Sequence, residues 1–424
     1  VTATSIVESC PNCGTTLAVL GEAAPWCTAC EWNLDAYTPP QKWPWYWRAM
    51  TRLDHRHGFR ADLRLTTEGT GSSRAGFVFL CAVSAILVAV PLAALIGGLY
   101  LIIWHRHNLD ILLGALLLPV AYALRPRLGR VRRYLRGRYR LDPETTPALH
   151  ELIGQVAAAT GAPRPDILII DPYSWTASVT VLGIRGRRIL TLGVPLLASL
   201  RIEEIVALLG HELGHIANKD SRRSLLARPA RVTFGHLSSI LRPPTANWLD
   251  QGMHGFEALL YELLRLINGT LSWLLFGLHL GINVVGSGHD RAAEQRADVL
   301  AAQAGGTAAA LSLLDALAGL PLYHSLVSGA SEAGVALHEW RTDIAGCRDR
   351  HTDQIVLRRQ LSIREDASLF ASHPTTGRRH QFLAARPPQD AAVTVTEAQT
   401  RSVLREIAPY AERLRADLAE EYEM

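Results

Sequence analysis

Leu208-Leu209-Gly210-His211-Glu212-Leu213-Gly214-His215 decides how the rest of this chain is read. Apolar residues recur around it at Ile202, Ile205, Val206, Leu209, Leu213 and Ile216, a helical spacing that predicts a buried amphipathic helix. Histidines four apart on such a helix project from one side, close enough to grip a single ion, with Glu212 beside them facing a metal-bound water. A zinc that does chemistry takes three protein ligands and keeps a fourth position for water, so a third ligand has to come from elsewhere.

The best candidate lies in Asp290-Arg291-Ala292-Ala293-Glu294-Gln295-Arg296-Ala297-Asp298, a second predicted helix that Gly305-Gly306 stops. Glu294 and Asp298 share a face at i, i+4. The first carboxylate can complete the zinc shell, and the second can accept the outer N–H of a ligating histidine and fix its ring. Taken alone the segment also reads as a solvated charged helix, with Glu294 near Arg291 and Asp298 near Arg296. His211 and His215 tip the balance toward the ligand reading. The other histidines, such as His236, His254, His279, His289 and His324, lack ligand spacing and read as ordinary satisfied residues.

His-Glu-Leu-Gly-His-Ile-Ala-Asn-Lys-Asp220, Arg291-x-x-Glu294-x-x-x-Asp298, and Ser372-His373-Pro374 followed by Arg379 together resemble the HtpX-type and CAAX-prenyl-endopeptidase-like gluzincins. Three motifs stand in that family's order, and the resemblance covers about Asp142 to Leu383. It implies an integral membrane endopeptidase with zinc on His211, His215 and Glu294, Glu212 as general base, and His373 as a second donor to the oxyanion. Arg379 matches an Arg of that family, and a pairing with Asp220 or Asp298 that holds its loop against the zinc helix is expected for it. Two departures bear on substrate preference: Asp290 stands where the family commonly has Ser, and Thr176-Ala177 where it has Asn-Ala. Neither removes a ligand.

Toward the N-terminus, Cys10-Pro-Asn-Cys13 and Cys27-Thr-Ala-Cys30 form two Cys-x-x-Cys knuckles. Four thiolates in tetrahedral array predict a structural zinc in a ribbon at 1–38, where metal affinity replaces a core. The first thirty residues hold neither an apolar run nor a cleavage site, so the N-terminus is expected to stay in a reducing compartment. A connector at 39–75 is dense in Pro, Trp and Arg. Its Trp43, Trp45, Tyr46 and Trp47 suit either a lipid interface or a small cluster under the ribbon.

The stretch 76–124 predicts a transmembrane helical hairpin, with Gly76 to Trp104 long enough to span and Leu109 to Leu124 shorter and interrupted by Pro119. Eight Arg between Arg125 and Arg140 form a basic juxtamembrane segment, 125–141. Their position next to the apolar run points to lipid head groups and a cytoplasmic anchor, not to nucleic acid, and no nucleic-acid partner is expected. A single span would leave the ribbon thiolates and the Arg-rich flank on opposite sides, so a hairpin with both ends cytoplasmic is preferred. The mean hydropathy of +0.10 reflects mainly this stretch.

From Asp142 the pattern is α+β: a helix near Glu144 to Thr160, short strands at Asp166 to Ile170, Ala177 to Ile184 and Arg188 to Leu192, then helices. The metallopeptidase domain is placed at 142–390 and a charged amphipathic helix at 391–424. Leu266 to Gly286 is apolar but carries Asn268, Ser272, His279 and Asn283. His215 before it and Glu294 after it must meet at one ion, so the chain between crosses a membrane an even number of times. A helix dipping into the interface or covering the cleft is expected, with a paired crossing as the alternative.

The expected architecture is therefore mainly α with a small β-sheet, an α+β zincin-like metalloprotease domain, plus a transmembrane hairpin and an N-terminal zinc ribbon. The expected cofactors are one catalytic and one structural Zn2+; the expected partners are protein or peptide substrates and the lipid bilayer. A membrane scaffold with structural zinc sites, whose ribbon binds a protein or nucleic acid, is the competing class. An intact Glu212 argues against it, because a structural site needs no general base.

Overall fold

The computed structural model describes residues 9–68, 74–104, 107–125, 131–182, 186–218, 220–243, 255–327, 332–371 and 373–423. The elements follow in the order β1 (Leu17–Ala18), β2 (Trp26–Cys27), α1 (Trp45–Glu68), α2 (Arg74–Trp104), α3 (Asn108–Leu124), α4 (Val131–Tyr134), β3 (Tyr139–Leu141), α5 (Pro147–Thr160), β4 (Ile167–Asp171), β5 (Ala177–Leu182) and β6 (Arg187–Gly193). After them come α6 (Val194–Ser199), α7 (Ile202–Ala217), α8 (Asp220–Leu241), α9 (Phe256–Gly305), α10 (Thr307–Val327), α11 (Ala336–Arg350), α12 (Thr352–Glu365), α13 (Thr376–Ala384) and α14 (Glu397–Glu423). Mostly helical, with two small sheets and a cysteine cluster near its start, the chain has the expected class of fold.

Two compact units result, one from 1–71, 129–221 and 290–424, the other from 72–128 and 222–289. In the first, four strands lie in the order β3-β4-β6-β5, with β4 and β6 parallel and the other pairs antiparallel. Leu168, Ile170, Leu190 and Leu192 of the sheet pack with Leu149, Ile153 and Val156 of α5 and with Ile205, Val206, Leu209 and Leu213 of α7. These are the apolar positions whose spacing predicts the α7 helix. Val403, Ile407, Ala411 and Leu414 of α14 join the same core, and the Glu406 carboxylate accepts the backbone N–H of Ala148 and Leu149 at the start of α5.

Gly210 and Gly214 let the end of α9 lie directly on α7. A Cβ on Gly210 would stand 2.7 Å from Cβ of Ala304, and one on Gly214 would stand 3.1 Å from Cα of Ala297. Ala297, Ala301 and Ala304 are the small residues on the facing side. This contact brings the Glu294 turn against the two histidines.

The second unit packs α2 and α3 as a hairpin through glycine, where a Cβ on Gly114 would stand 2.7 Å from the carbonyl oxygen of Gly98. Such small-residue contact is how helices approach closely in lipid. In the same unit α8 and the first part of α9 run antiparallel. Ser238 Oγ donates to the Ser272 carbonyl at 2.9 Å, Ser272 Oγ donates to the Ser238 carbonyl at 2.8 Å, and Arg231 donates to the Gly286 carbonyl at 3.3 Å. Leu266 to Gly286 is thus one half of a helix pair with α8.

Large apolar side chains face outward along this unit, with Ile86, Ile96, Leu112, Leu116, Leu266 and Leu274 all exposed. Water does not tolerate so continuous an apolar surface, and a bilayer does. Of the three helices among the described residues that are long and apolar enough to cross a membrane, α2, α9 and α10, the last is a core helix. Its Leu313, Leu314, Tyr323 and Val327 are buried against α7 and its neighbours.

Candidate metal centre

His211 and His215 leave α7 one turn apart, their rings 4.9 Å between centroids and nearly perpendicular. Glu294, from the last part of α9, reaches both. Its Oε2 lies 3.4 Å from Nε2 of His211, and its Oε1 lies 3.3 Å from Nε2 of His215. Bonds of about 2.0–2.1 Å in a tetrahedron place ligand atoms about 3.3–3.4 Å apart, so these three groups stand at the edges such a site requires. Nε2 of His211 is moreover buried with no hydrogen-bond partner. A buried polar atom left so is costly unless something else satisfies it, and a metal ion does.

Beyond the histidine, Asp298 fixes the ring. Its Oδ1 lies 3.0 Å from Nδ1 of His211, so that Nδ1 carries the proton and Nε2 faces Glu294. Arg379 donates to both oxygens of Asp298, at 3.0 Å and 2.6 Å. Burial pushes the Asp298 carboxyl up, and the Arg379 charge with the hydrogen bonds from His211 and Arg379 outweighs it, holding the carboxyl at about 2. For Glu294, burial likewise raises the pKa, while the His373 and His215 charges and the hydrogen bond from His373 bring it well below the usual range. Both groups are therefore carboxylates at neutral pH.

Of the two pairings open to Arg379, the one with Asp298 is present; the Asp220 side chain and Ser372 lie outside the described residues. Glu212 is buried on α7 between the two histidines, outside the ligand cluster itself. His373, on the loop between α12 and α13, comes nearer than the sequence suggested. Its Nδ1 is 2.5 Å from Oε2 of Glu294, and its ring is half-exposed where His211 and Glu294 are buried and His215 is only slightly exposed. His211, His215, Glu294 and His373 can all offer ligand atoms within 4.8 Å of one another.

At the other end of the chain, Cys10, Cys13, Cys27 and Cys30 also converge within 4.8 Å. Sγ of Cys10 and Cys30 lie 3.6 Å apart, and those of Cys13 and Cys27 lie 3.4 Å apart. That is too far for a disulfide and near the edge of about 3.8 Å that Zn–S bonds of about 2.3 Å define. The residue after each knuckle is left-handed, Gly14 at φ +75° and Glu31 at φ +59°. Glu31 holds a conformation better suited to glycine, and its side chain pairs with Arg378, 2.8 Å away on α13.

Sequence reasoning missed the residues of α1 that reach this region. Asp62 is buried, accepts from Arg291 and from the Thr375 N–H, and lines one cleft with Glu294, Asp298 and Arg379. No apolar period marks α1, so it read as a connector. The only available signal was an acidic residue in an otherwise Arg-rich stretch.

Comparison with known proteins bears on the segment that holds His211, His215, Glu294 and His373. A protease HtpX homologue of Streptococcus pneumoniae (strain Taiwan19F-14) is 30% identical over 157 residues, which is 37% of this chain and 52% of that protein. The homologue from strain Hungary19A-6 is 30% identical over 144 residues, 34% of this chain and 48% of its own length. The chain thus spans about half the length of the curated relatives it matches. The model of peptidase family M48 matches residues 143–387, more than half of the 424, and it takes in α5 to α13 with both histidines, Glu294 and His373. The chain belongs to peptidase family M48.

Proposed function

We propose that this protein is a membrane-anchored zinc metalloendopeptidase that hydrolyses peptide bonds in membrane or misfolded proteins. His211, His215 and Glu294 would hold the zinc. The observation that carries this is the spacing of their ligand atoms, 3.3 Å and 3.4 Å, together with the orphaned Nε2 of His211. A zinc ion held there supplies a Lewis acid for the scissile carbonyl and lowers the pKa of water to about 7.

Glu212 takes the proton of the attacking water and returns it to the leaving amine. His373, at the solvent-facing side of the cluster, donates a hydrogen bond to the carbonyl oxygen as negative charge develops on it. Asp298 and Arg379 keep His211 in the tautomer and orientation that present Nε2. The four cysteines hold a second, structural zinc. Partition into ribbon (1–38), connector (39–75), hairpin (76–124), basic segment (125–141), peptidase domain (142–390) and terminal helix (391–424) belongs to the same proposal, as does placement of ribbon and peptidase domain on the cytoplasmic side. Eight Arg directly after the hairpin support that side.

One observation favours a second reading. His373 stands close enough to Glu294 to act as a fourth ligand, which would close the site and make it structural, as in a scaffold. Cleavage of casein, an unfolded substrate, separates the two, with metal content measured beside it. The endopeptidase holds two zinc per chain, loses cleavage on chelation and regains it with added zinc; a scaffold holds the same metal and leaves casein intact.

A further inference from the structure

Helix α1, outside the segment shared with the M48 family, reaches the His373 loop at both shoulders. On one side the Asp54 carboxylate accepts from Ser368 Oγ at 3.0 Å and 2.8 Å and from the Leu369 N–H at 2.7 Å. On the other, Oδ2 of Asp62 accepts from the Thr375 N–H at 3.0 Å, two residues beyond His373. The second oxygen of Asp62, Oδ1, accepts from Nε of Arg291, one turn before Glu294 on α9. Arg291 closes the circuit by donating to the Ser368 carbonyl at 3.1 Å. Between the two aspartates, α1 carries Gly58, where a Cβ would stand 2.4 Å from the Ser368 carbonyl carbon, so helix and loop touch backbone to backbone.

We infer that Asp62 is a positioning residue for the hydrolysis proposed above: its carboxylate ties the His373 loop to the Glu294 helix and so sets the place of the His373 ring over the metal centre. This rests on the metallopeptidase reading. A buried ion pair such as Asp62 with Arg291 contributes little net stability once desolvation is counted, so stability alone does not explain it. What it supplies is geometry. A loop is ordinarily mobile, and a donor that must meet a developing oxyanion loses its effect when displaced by about 1 Å. Asp62 grips two elements with one rigid group, and Asp54 holds the far shoulder.

The arm itself is anchored away from the site. His55 Nε2 lies 2.7 Å from the Arg364 carbonyl, and Arg364 donates to the carbonyls of Ala24 and Asn33 in the ribbon. Trp26 and Leu34 of the ribbon pack on Ile363, with Phe59 of α1 against them. The ribbon and α1 thus form one support braced on α12, the helix that leads into the loop.

The test is steady-state cleavage of casein by the full chain in detergent, with zinc content measured on every sample, for the parent, Asp62→Asn, His373→Ala and the double variant. Asp62→Asn is expected to lower kcat by about ten- to a hundredfold, with KM within about twofold and zinc content unchanged. In the His373→Ala background the same substitution should cost nothing further, because the group it positions is gone. Parental kcat in Asp62→Asn, or an equal loss with and without His373, would overturn the inference. Asp54→Ala, at the half-buried shoulder, is read by the same criteria and decides the matter where Asp62→Asn does not fold. Casein left intact by the parent would instead overturn the peptidase reading, and this one with it.

Discussion

Nδ1 of His373 lies 2.5 Å from Oε2 of Glu294, so the one half-exposed member of the cluster is held by the carboxylate that joins the two histidines of α7. The contact gives His373 a fixed place at the solvent-facing side of the cluster. If it acts as an oxyanion donor, His373→Ala keeps the metal and lowers kcat about a hundredfold or more, with little change in KM. Zinc analysis beside kinetics checks this, and loss of the catalytic zinc from the variant would instead make His373 a ligand.

In the proposed site, Asp298 and Arg379 act through His211. With the carboxylate replaced by an amide, Nδ1 of His211 loses its charged acceptor while Arg379 remains buried beside it. Asp298→Asn is expected to weaken zinc binding at this centre by about 10- to 100-fold, read by competition with a chromogenic chelator. The zinc proposed for the four cysteines, elsewhere in the chain, should titrate as in the parent.

Close approach of α9 to α7 depends on Gly210. A methyl group there meets Ala304 at 2.7 Å, so Gly210→Ala has to displace the α9 segment that carries Glu294. Overpacking of this kind costs about 1–3 kcal/mol and should lower zinc occupancy at the same time. Gly97→Ala serves as control: it lies in α2 with nothing within 4 Å, and the better helix propensity of alanine should leave it neutral or slightly stabilised. Thermal unfolding with metal analysis compares the two.

Acid stability should depend on Glu204, whose carboxylate is buried against the Arg348 guanidinium and also accepts from Ser312. Burial pushes its pKa up, and Arg348 beside it outweighs that and holds it below the ordinary value. A group with a lowered folded pKa stabilises fully above its unfolded value, about 4.3 for Glu, and that contribution is lost as pH falls through the folded pKa. Glu204→Gln should therefore lose about 3–5 kcal/mol at neutral pH, by leaving Arg348 buried without its counter-charge, and should show a flatter acid limb. Denaturant midpoints between pH 3 and pH 7 measure both effects.

How much was legible in advance follows from where the signal lies. The α7 helix announced itself because its buried face is apolar at every turn, and the Glu294 helix because two carboxylates four apart beside a histidine pair have few other uses. Helix α1 stayed hidden because its working face is polar. Asp54 and Asp62 make hydrogen bonds to a loop, and His55 to the end of α12, some three hundred residues away, and periodicity sees only apolar faces. The pairing of α8 with Leu266 to Gly286 was obscured for a related reason: α8 is too rich in arginine to register as a companion for an apolar helix. Hydropathy also marks α10 as a span, although its apolar residues fill the core, since composition does not tell a lipid-facing helix from a protein-facing one.

The central claim, that Glu212 serves as general base beside a zinc held by His211, His215 and Glu294, is tested most directly by comparing casein cleavage by the parent chain and by Glu212→Gln at matched zinc content. The substitution keeps size and shape and removes only the group that takes the proton. Zinc-dependent cleavage by the parent that falls by at least about a hundredfold in the variant, with zinc content unchanged, is the result expected. Equal cleavage by both chains would contradict it.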